Sequence, residues 1–123
     1  AELATLADRF GDLVDFVVDA CQARITIAAL HQYLALGAMV FLTGSKFMGG
    51  APFNGFALVP RAMIAQAAPL PEGLATVFRR AEFPPDWPGR EQLADGENPG
   101  LALRYEGSVF ELERFQRLPI AAV

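Results

Sequence analysis

The chain has 123 residues, a net charge of −4 and 53% hydrophobic residues, with a mean hydropathy of +0.28. Lys46 is its only lysine and its nine arginines are scattered, so no cationic stripe exists to neutralise a nucleic-acid backbone. A single cysteine excludes an internal disulfide framework and a cysteine-based zinc site, and it fits a reducing, cytoplasmic setting. The apolar content is high for so short a chain, and the first residue is Ala1 rather than Met. Both lead us to expect a piece of a longer protein with apolar surface meant for another part or another copy.

Leu3 to Phe10 has apolar residues at helical spacing, and Gly11 is a natural stop. Leu13 to Val18, flanked by Asp12 and Asp15, reads as a short buried strand. Thr26 to Leu36 reads as a helix with Thr26 as its cap and Gly37 at its end. Ala38 to Thr43 reads as a second buried strand, Gly44 to Pro52 as a glycine-rich turn, and Phe53 to Val59 as a third strand closed by Pro60. A strand–helix–strand unit makes the first two strands parallel, and the short connection makes the third antiparallel to the second near a sheet edge. Ile25 to Leu42 is long and apolar enough to be weighed as a membrane span, but His31, Gln32 and Gly37 divide it into a helix and a strand.

Arg61 to Ala68 reads as a short helix. Six prolines from Pro69 to Pro99 (69, 71, 84, 85, 88 and 99) mark a change of composition, and residues 69–98 read as an irregular, aromatic-containing connection with a short helix expected around Gly73 to Arg80. Its aromatic content suits a segment that wraps a partner surface. Asn98-Pro99 then reads as the cap and first turn of a long helix, Gly100 to Leu118, ended by Pro119. Apolar residues at 101, 105, 109, 112 and 115 mark one face, and the Glu and Arg residues form a solvated face. Three stretches result: 1–68, which carries the strands; 69–98, the connection; and 99–123, the long helix.

The chemistry-bearing residues fall at strand exits. Asp19 and Gln22 follow the first strand, and Thr43-Gly44-Ser45-Lys46 follows the second. In open α/β sheets ligands bind outside the carboxyl ends of the strands, so a carboxylate, an amide and an amine are expected in one crevice. A phosphate-loop reading of Thr43-Gly44-Ser45-Lys46 fails, since the glycine spacing before the lysine and the hydroxyl residue after it are absent.

The order of these elements resembles the cofactor-binding core of fold-type-I pyridoxal phosphate enzymes, most nearly the class V aminotransferase and cysteine desulfurase group. The motifs are Val18-Asp19-Ala20-Cys21-Gln22, then Thr43-Gly44-Ser45-Lys46, then the return strand Gly49-Gly50-Ala51-Pro52-Phe53-Asn54-Gly55-Phe56-Ala57-Leu58. The resemblance covers the first half of the chain and implies a three-layer α/β/α large domain, of which this chain is the central part. It implies that Lys46 forms the Schiff base with pyridoxal 5'-phosphate, that Asp19 pairs with the pyridine nitrogen, and that Gln22 bonds the phenolic oxygen. It gives the Thr43 hydroxyl to the phosphate. Ser45 stands where many members carry a histidine, and a serine there still offers a phosphate donor. The glycine-rich phosphate loop and the ring-stacking aromatic are expected before Ala1, and a substrate-binding arginine after Val123. The long helix takes the place where the family's chain crosses to its small domain.

The implied reaction is transamination, desulfuration or a related lyase step on an amino acid in a homodimer. The Lys46 amine, freed when substrate takes its place, is the proton carrier at Cα. Cys21 is read as a small buried residue, and His31 as an ordinary helix residue. The competing expectation is a non-catalytic α/β interaction module, or a degenerate enzyme fragment that no longer takes the cofactor.

Overall fold

The computed structural model describes residues 2–11 and 13–119. Its regular elements in chain order are α1 (Glu2–Phe10), β1 (Val17–Asp19), α2 (Ile27–Ala35), β2 (Met39–Thr43), β3 (Gly55–Leu58), α3 (Arg61–Gln66) and α4 (Pro99–Gln116). Asp12, which the sequence places beside the first strand, lies outside the described residues, as does the stretch 120–123.

The sheet has the order β1-β2-β3. β1 and β2 are parallel with Val17, Val18 and Asp19 opposite Met39, Val40 and Phe41. β3 returns antiparallel, with Leu58 opposite Val40 and Gly55 opposite Thr43. Mixed α/β architecture, strand directions and the edge position of β3 all agree with the sequence reading. Ile25 to Leu42 is divided as expected. α2 is capped by Thr26, whose hydroxyl accepts from Ala29 N–H at 3.1 Å, and Gly37 turns the chain out of the helix at φ +82°. Such a cap contributes about 1 kcal/mol. Among the described residues no helix is long and apolar enough to cross a membrane.

One face of the sheet carries the core. Val40 and Leu42 are buried with Ala20, and Leu30, Tyr33 and Leu34 of α2 pack over them. Alternation puts Val17, Phe41 and Ala57 on the other face. That face is open: Val17 is 47% and Phe41 41% exposed, and Ala57 is exposed as well. Among the described residues α2 covers one face of the sheet, and Val17, Phe41 and Ala57 leave the centre of the other face open.

The first strand is shorter and more exposed than the sequence suggests. Leu13 and Val14 donate their N–H groups to Phe10 O at 2.8 and 3.1 Å, continuing the turn after α1, and Leu13 is 81% exposed. Pairing begins only where β2 offers a partner, at Met39. The third strand is also trimmed, because Phe53 adopts φ +62° and Asn54 turns inward.

Residues 69–98 close on themselves. Arg90 Nε donates to Arg80 O at 2.9 Å and to Phe83 O at 3.0 Å, while an Arg80 guanidinium nitrogen reaches Leu93 O at 3.1 Å. Leu93 is buried beneath this weave, and Phe78, Phe83 and Trp87 meet edge to face at 5.5 and 5.7 Å. The helix expected around Gly73 to Arg80 is a 3-10 turn, Glu72–Thr76. It stops early because Thr76 uses its hydroxyl to bond Gly73 O at 2.8 Å and the chain then turns extended at Arg79.

α4 starts as expected, with the Asn98 side chain accepting from Leu101 N–H at 3.1 Å and Pro99 in its first turn. Its inward stripe differs at one position. Leu101, Tyr105, Ser108, Leu112 and Phe115 face inward, whereas Val109 is exposed. The small serine lets the helix approach the turn after β2. Glu111–Arg114 at 3.1 Å and Glu113–Arg117 at 3.9 Å are the spaced surface pairs anticipated on the outer face.

Candidate functional site

The exits of β1 and β2 carry the candidate residues because parallel pairing points both strand ends the same way. Asp19 ends β1 opposite Phe41, and Thr43 ends β2 two residues further on the same sheet face. Lys46 follows three residues later on an exposed turn.

Asp19 Oδ1 accepts the backbone N–H of Cys21 at 2.9 Å. That bond, then the neighbouring Cys21 thiol, holds the Asp19 carboxyl below its ordinary value of 3.8, and the charge of Lys46 adds a smaller push in the same direction. The same proximity raises the Cys21 thiol, chiefly through its bond to Asp19. Cys21 is half-buried rather than buried, and its thiol is not poised as a thiolate. Lys46 reaches Asp19 only through this minor charge effect.

Gln22 is exposed and shares with Asp19 a cavity of about 440 Å³ between the end of β1 and α2, together with Arg24, Thr26 and Tyr33. Lys46, Thr43 and Ser45 do not line that cavity. Arg24 supplies a cation at its mouth that the sequence reading did not single out. His31 is exposed on α2, away from these groups.

Thr43 turns toward α4 instead of toward that cavity. It is buried and donates its hydroxyl proton to Asn54 Oδ1 at 3.0 Å. Its oxygen also lies 2.9 Å from Ser45 Oγ and accepts Ser45 N–H at 3.3 Å. Asn54 is fully buried, and its Nδ2 donates to Ser108 Oγ and to Arg104 O. Ser108 Oγ donates to Arg104 O at 2.9 Å. Every polar atom of Thr43, Asn54 and Ser108 side chains is therefore paired, as buried polar groups require. With its single proton given to Asn54, Thr43 braces the turn in this arrangement rather than offering a free phosphate donor. Ser45 is half-exposed, and its hydroxyl can rotate outward while its N–H keeps Thr43 paired.

Two residues to which the sequence reading gave no role, Asn54 and Ser108, thus hold the Lys46 turn. Asn54-Gly55 looks like ordinary turn chemistry, and a serine inside a helix carries no signal of its own. Only the alternating four- and three-residue spacing of 101, 105, 108, 112 and 115 points to it.

Two non-glycine residues take left-handed backbone among the described residues, Ala23 at φ +54° and Phe53 at φ +62°. One directly follows Gln22 and the other directly precedes Asn54. Left-handed backbone at such residues is strained and tends to gather at functional sites. Among the described residues no group of three or more His, Cys, Asp or Glu side chains could hold a metal ion.

No family model, no curated protein and no solved structure matches this chain.

Proposed function

We propose that this chain carries the lysine-bearing centre of a pyridoxal phosphate-dependent enzyme acting on an amino acid as an aminotransferase, desulfurase or related lyase. The observation that carries the reading is the placement of Asp19 at the end of β1 and of Lys46 three residues past the end of the adjacent parallel strand β2. The antiparallel return of β3 after the glycine-rich turn adds to it.

The donor set fits the cofactor. Asp19 keeps its charge through the Cys21 N–H bond, which suits it to hold a protonated pyridine nitrogen. Gln22 is exposed beside it and free to meet a phenolic oxygen. Lys46 is the only side-chain amine of the chain and would hold the aldehyde. Ser45 is the hydroxyl that can turn toward a phosphate, and Thr43 supports it from behind. When bound, pyridoxal phosphate supplies an electron sink for the pair left at the substrate Cα. Lys46, as a free amine beside the substrate, would hold and return the Cα proton. A homodimer, a cytoplasmic setting and placement in the large domain of a three-layer α/β/α fold belong to the same proposal.

A second reading, a non-catalytic interaction module, is favoured by the open apolar sheet face of Val17, Phe41 and Ala57. Titration with pyridoxal phosphate separates the two. The enzyme reading expects a saturable visible absorbance band that Lys46→Ala abolishes while leaving the fold intact. A folded wild-type chain with no band, or a band that survives Lys46→Ala, contradicts it.

A further inference from the structure

Helix α4 begins more than fifty residues after Lys46, yet it grips the turn that bears this lysine on both sides. On one side, Ser108 packs directly on Gly44 and Gly50. A Cβ at Gly44 would stand 2.7 Å from Asn54 Nδ2, and one at Gly50 would stand 2.8 Å from Gly44 O, so neither position admits a side chain. On the other side, the Phe47 ring meets the Phe115 ring edge to face at 5.1 Å. Lys46 lies between these anchors. The turn itself is closed by Gly50 N–H to Gly44 O at 2.9 Å and Gly49 N–H to Lys46 O at 3.0 Å.

The polar centre of the grip is Asn54. One buried carboxamide accepts from Thr43 at the end of β2 and donates to Ser108 and to the Arg104 carbonyl on α4. It joins the strand before the lysine, the strand after it and the helix. A hydrogen-bonded group in this place cannot drift without leaving a buried donor or acceptor unpaired.

We infer that Asn54 and Ser108 are positioning residues that set the place of Lys46 relative to Asp19. The inference rests on the proposed cofactor role of Lys46. Neither residue touches the reacting atoms; they act by fixing the backbone from Gly44 to Gly50. Sites of this kind lose function when a reacting group moves by a fraction of its contact distance.

The test uses the full chain and two readouts. Capture of pyridoxal phosphate is followed by visible absorbance and by the borohydride-fixed mass increment on Lys46. Amide hydrogen exchange at Gly49 and Gly50 reports the turn, with the Ala20 N–H to Phe41 O bond between β1 and β2 as the measure of an intact sheet. Asn54→Ala and Ser108→Ala are compared with Tyr105→Phe, which removes a different bond between α4 and β3, the one to Gly55 O at 2.9 Å. We expect Asn54→Ala and Ser108→Ala to speed exchange at Gly50 and to weaken capture by about 10- to 100-fold, with sheet protection retained and Tyr105→Phe unchanged in both readouts. Ser108→Ala, which changes volume least, keeps the test decisive if Asn54→Ala does not fold. Full capture in a folded Ser108→Ala or Asn54→Ala chain, or equal weakening by Tyr105→Phe, overturns the inference while the cofactor reading stands. A folded wild-type chain that captures nothing overturns both.

Discussion

Asp19 keeps its charge through a local bond rather than through burial. Its carboxylate is solvent-exposed, and the largest contribution is the Cys21 N–H only two residues away. A carboxyl whose folded value is depressed lends stability above its unfolded value, and that stability is lost as pH falls through the folded value. An NMR titration should therefore find Asp19 below 3.8, with Lys46→Ala moving it up only slightly, since the lysine charge is the smaller influence. A large upward move in Lys46→Ala would show a direct ion pair instead. Tyr105 runs the opposite way. Burial, then Glu82, raises its phenol above 10.0, so the stability it lends is complete below that value and disappears as pH rises through the folded value. Its absorbance titration should be shifted to higher pH than that of the unfolded chain. Phe53 is the residue where local backbone preference yields to the site. At φ +62° and 85% exposed it packs on little, so its conformation is imposed by Asn54 next door. Phe53→Gly should stabilise the fold by about 1 kcal/mol in thermal or denaturant unfolding; a clear loss would mean that the ring itself contributes.

At the scale of elements, α4 matters more than its position in the chain suggests. Its inward stripe runs through Tyr105, which meets Phe56 at 6.0 Å, through Ser108 on the glycine turn, and on to Phe115 against Phe47. A Cβ at Gly50 meets backbone on one side and Ser108 on the other, and no flexible side-chain end can yield there. Gly50→Ala should accordingly cost about 1–3 kcal/mol, read as a drop in unfolding midpoint, whereas Gly73→Ala on an open surface should leave it nearly unchanged. Much of this scaffold was legible from residues alone. The caps Thr26 and Asn98, the stop at Gly37 and the β1–α2–β2 crossover follow from local chemistry and handedness. Strand lengths were not legible, because pairing depends on where a partner begins: Leu13 and Val14 are apolar enough for a strand but have none opposite. Nor was the role of Ser108, because its meaning lies in two glycines about sixty residues earlier. Thr43 shows the same limit. Sequence position marks it as a strand-exit hydroxyl, but only its neighbours Asn54 and Ser45 fix which way its proton points.

At the scale of the whole molecule, two features set the account. The sheet exits gather Asp19, Ser45 and Lys46 at one end, and the opposite sheet face to α2 leaves Val17, Phe41 and Ala57 open. The first is what a cofactor site needs, and the second is what an α/β layer or a partner would cover. A cavity of about 520 Å³, walled by Phe56, Phe78, Phe83, Trp87 and Tyr105, is not lined by Lys46 and belongs to the junction of β3, residues 78–87 and α4. The measurement that bears most directly on the central claim is borohydride reduction of the purified chain with pyridoxal phosphate, followed by peptide mass mapping. Because Lys46 is the only lysine, the result is unambiguous. The account predicts one reduced pyridoxyl adduct, on Lys46, that is lost or strongly weakened in Asp19→Ala. A folded chain with no adduct, or one whose adduct on Lys46 is indifferent to Asp19, would contradict it.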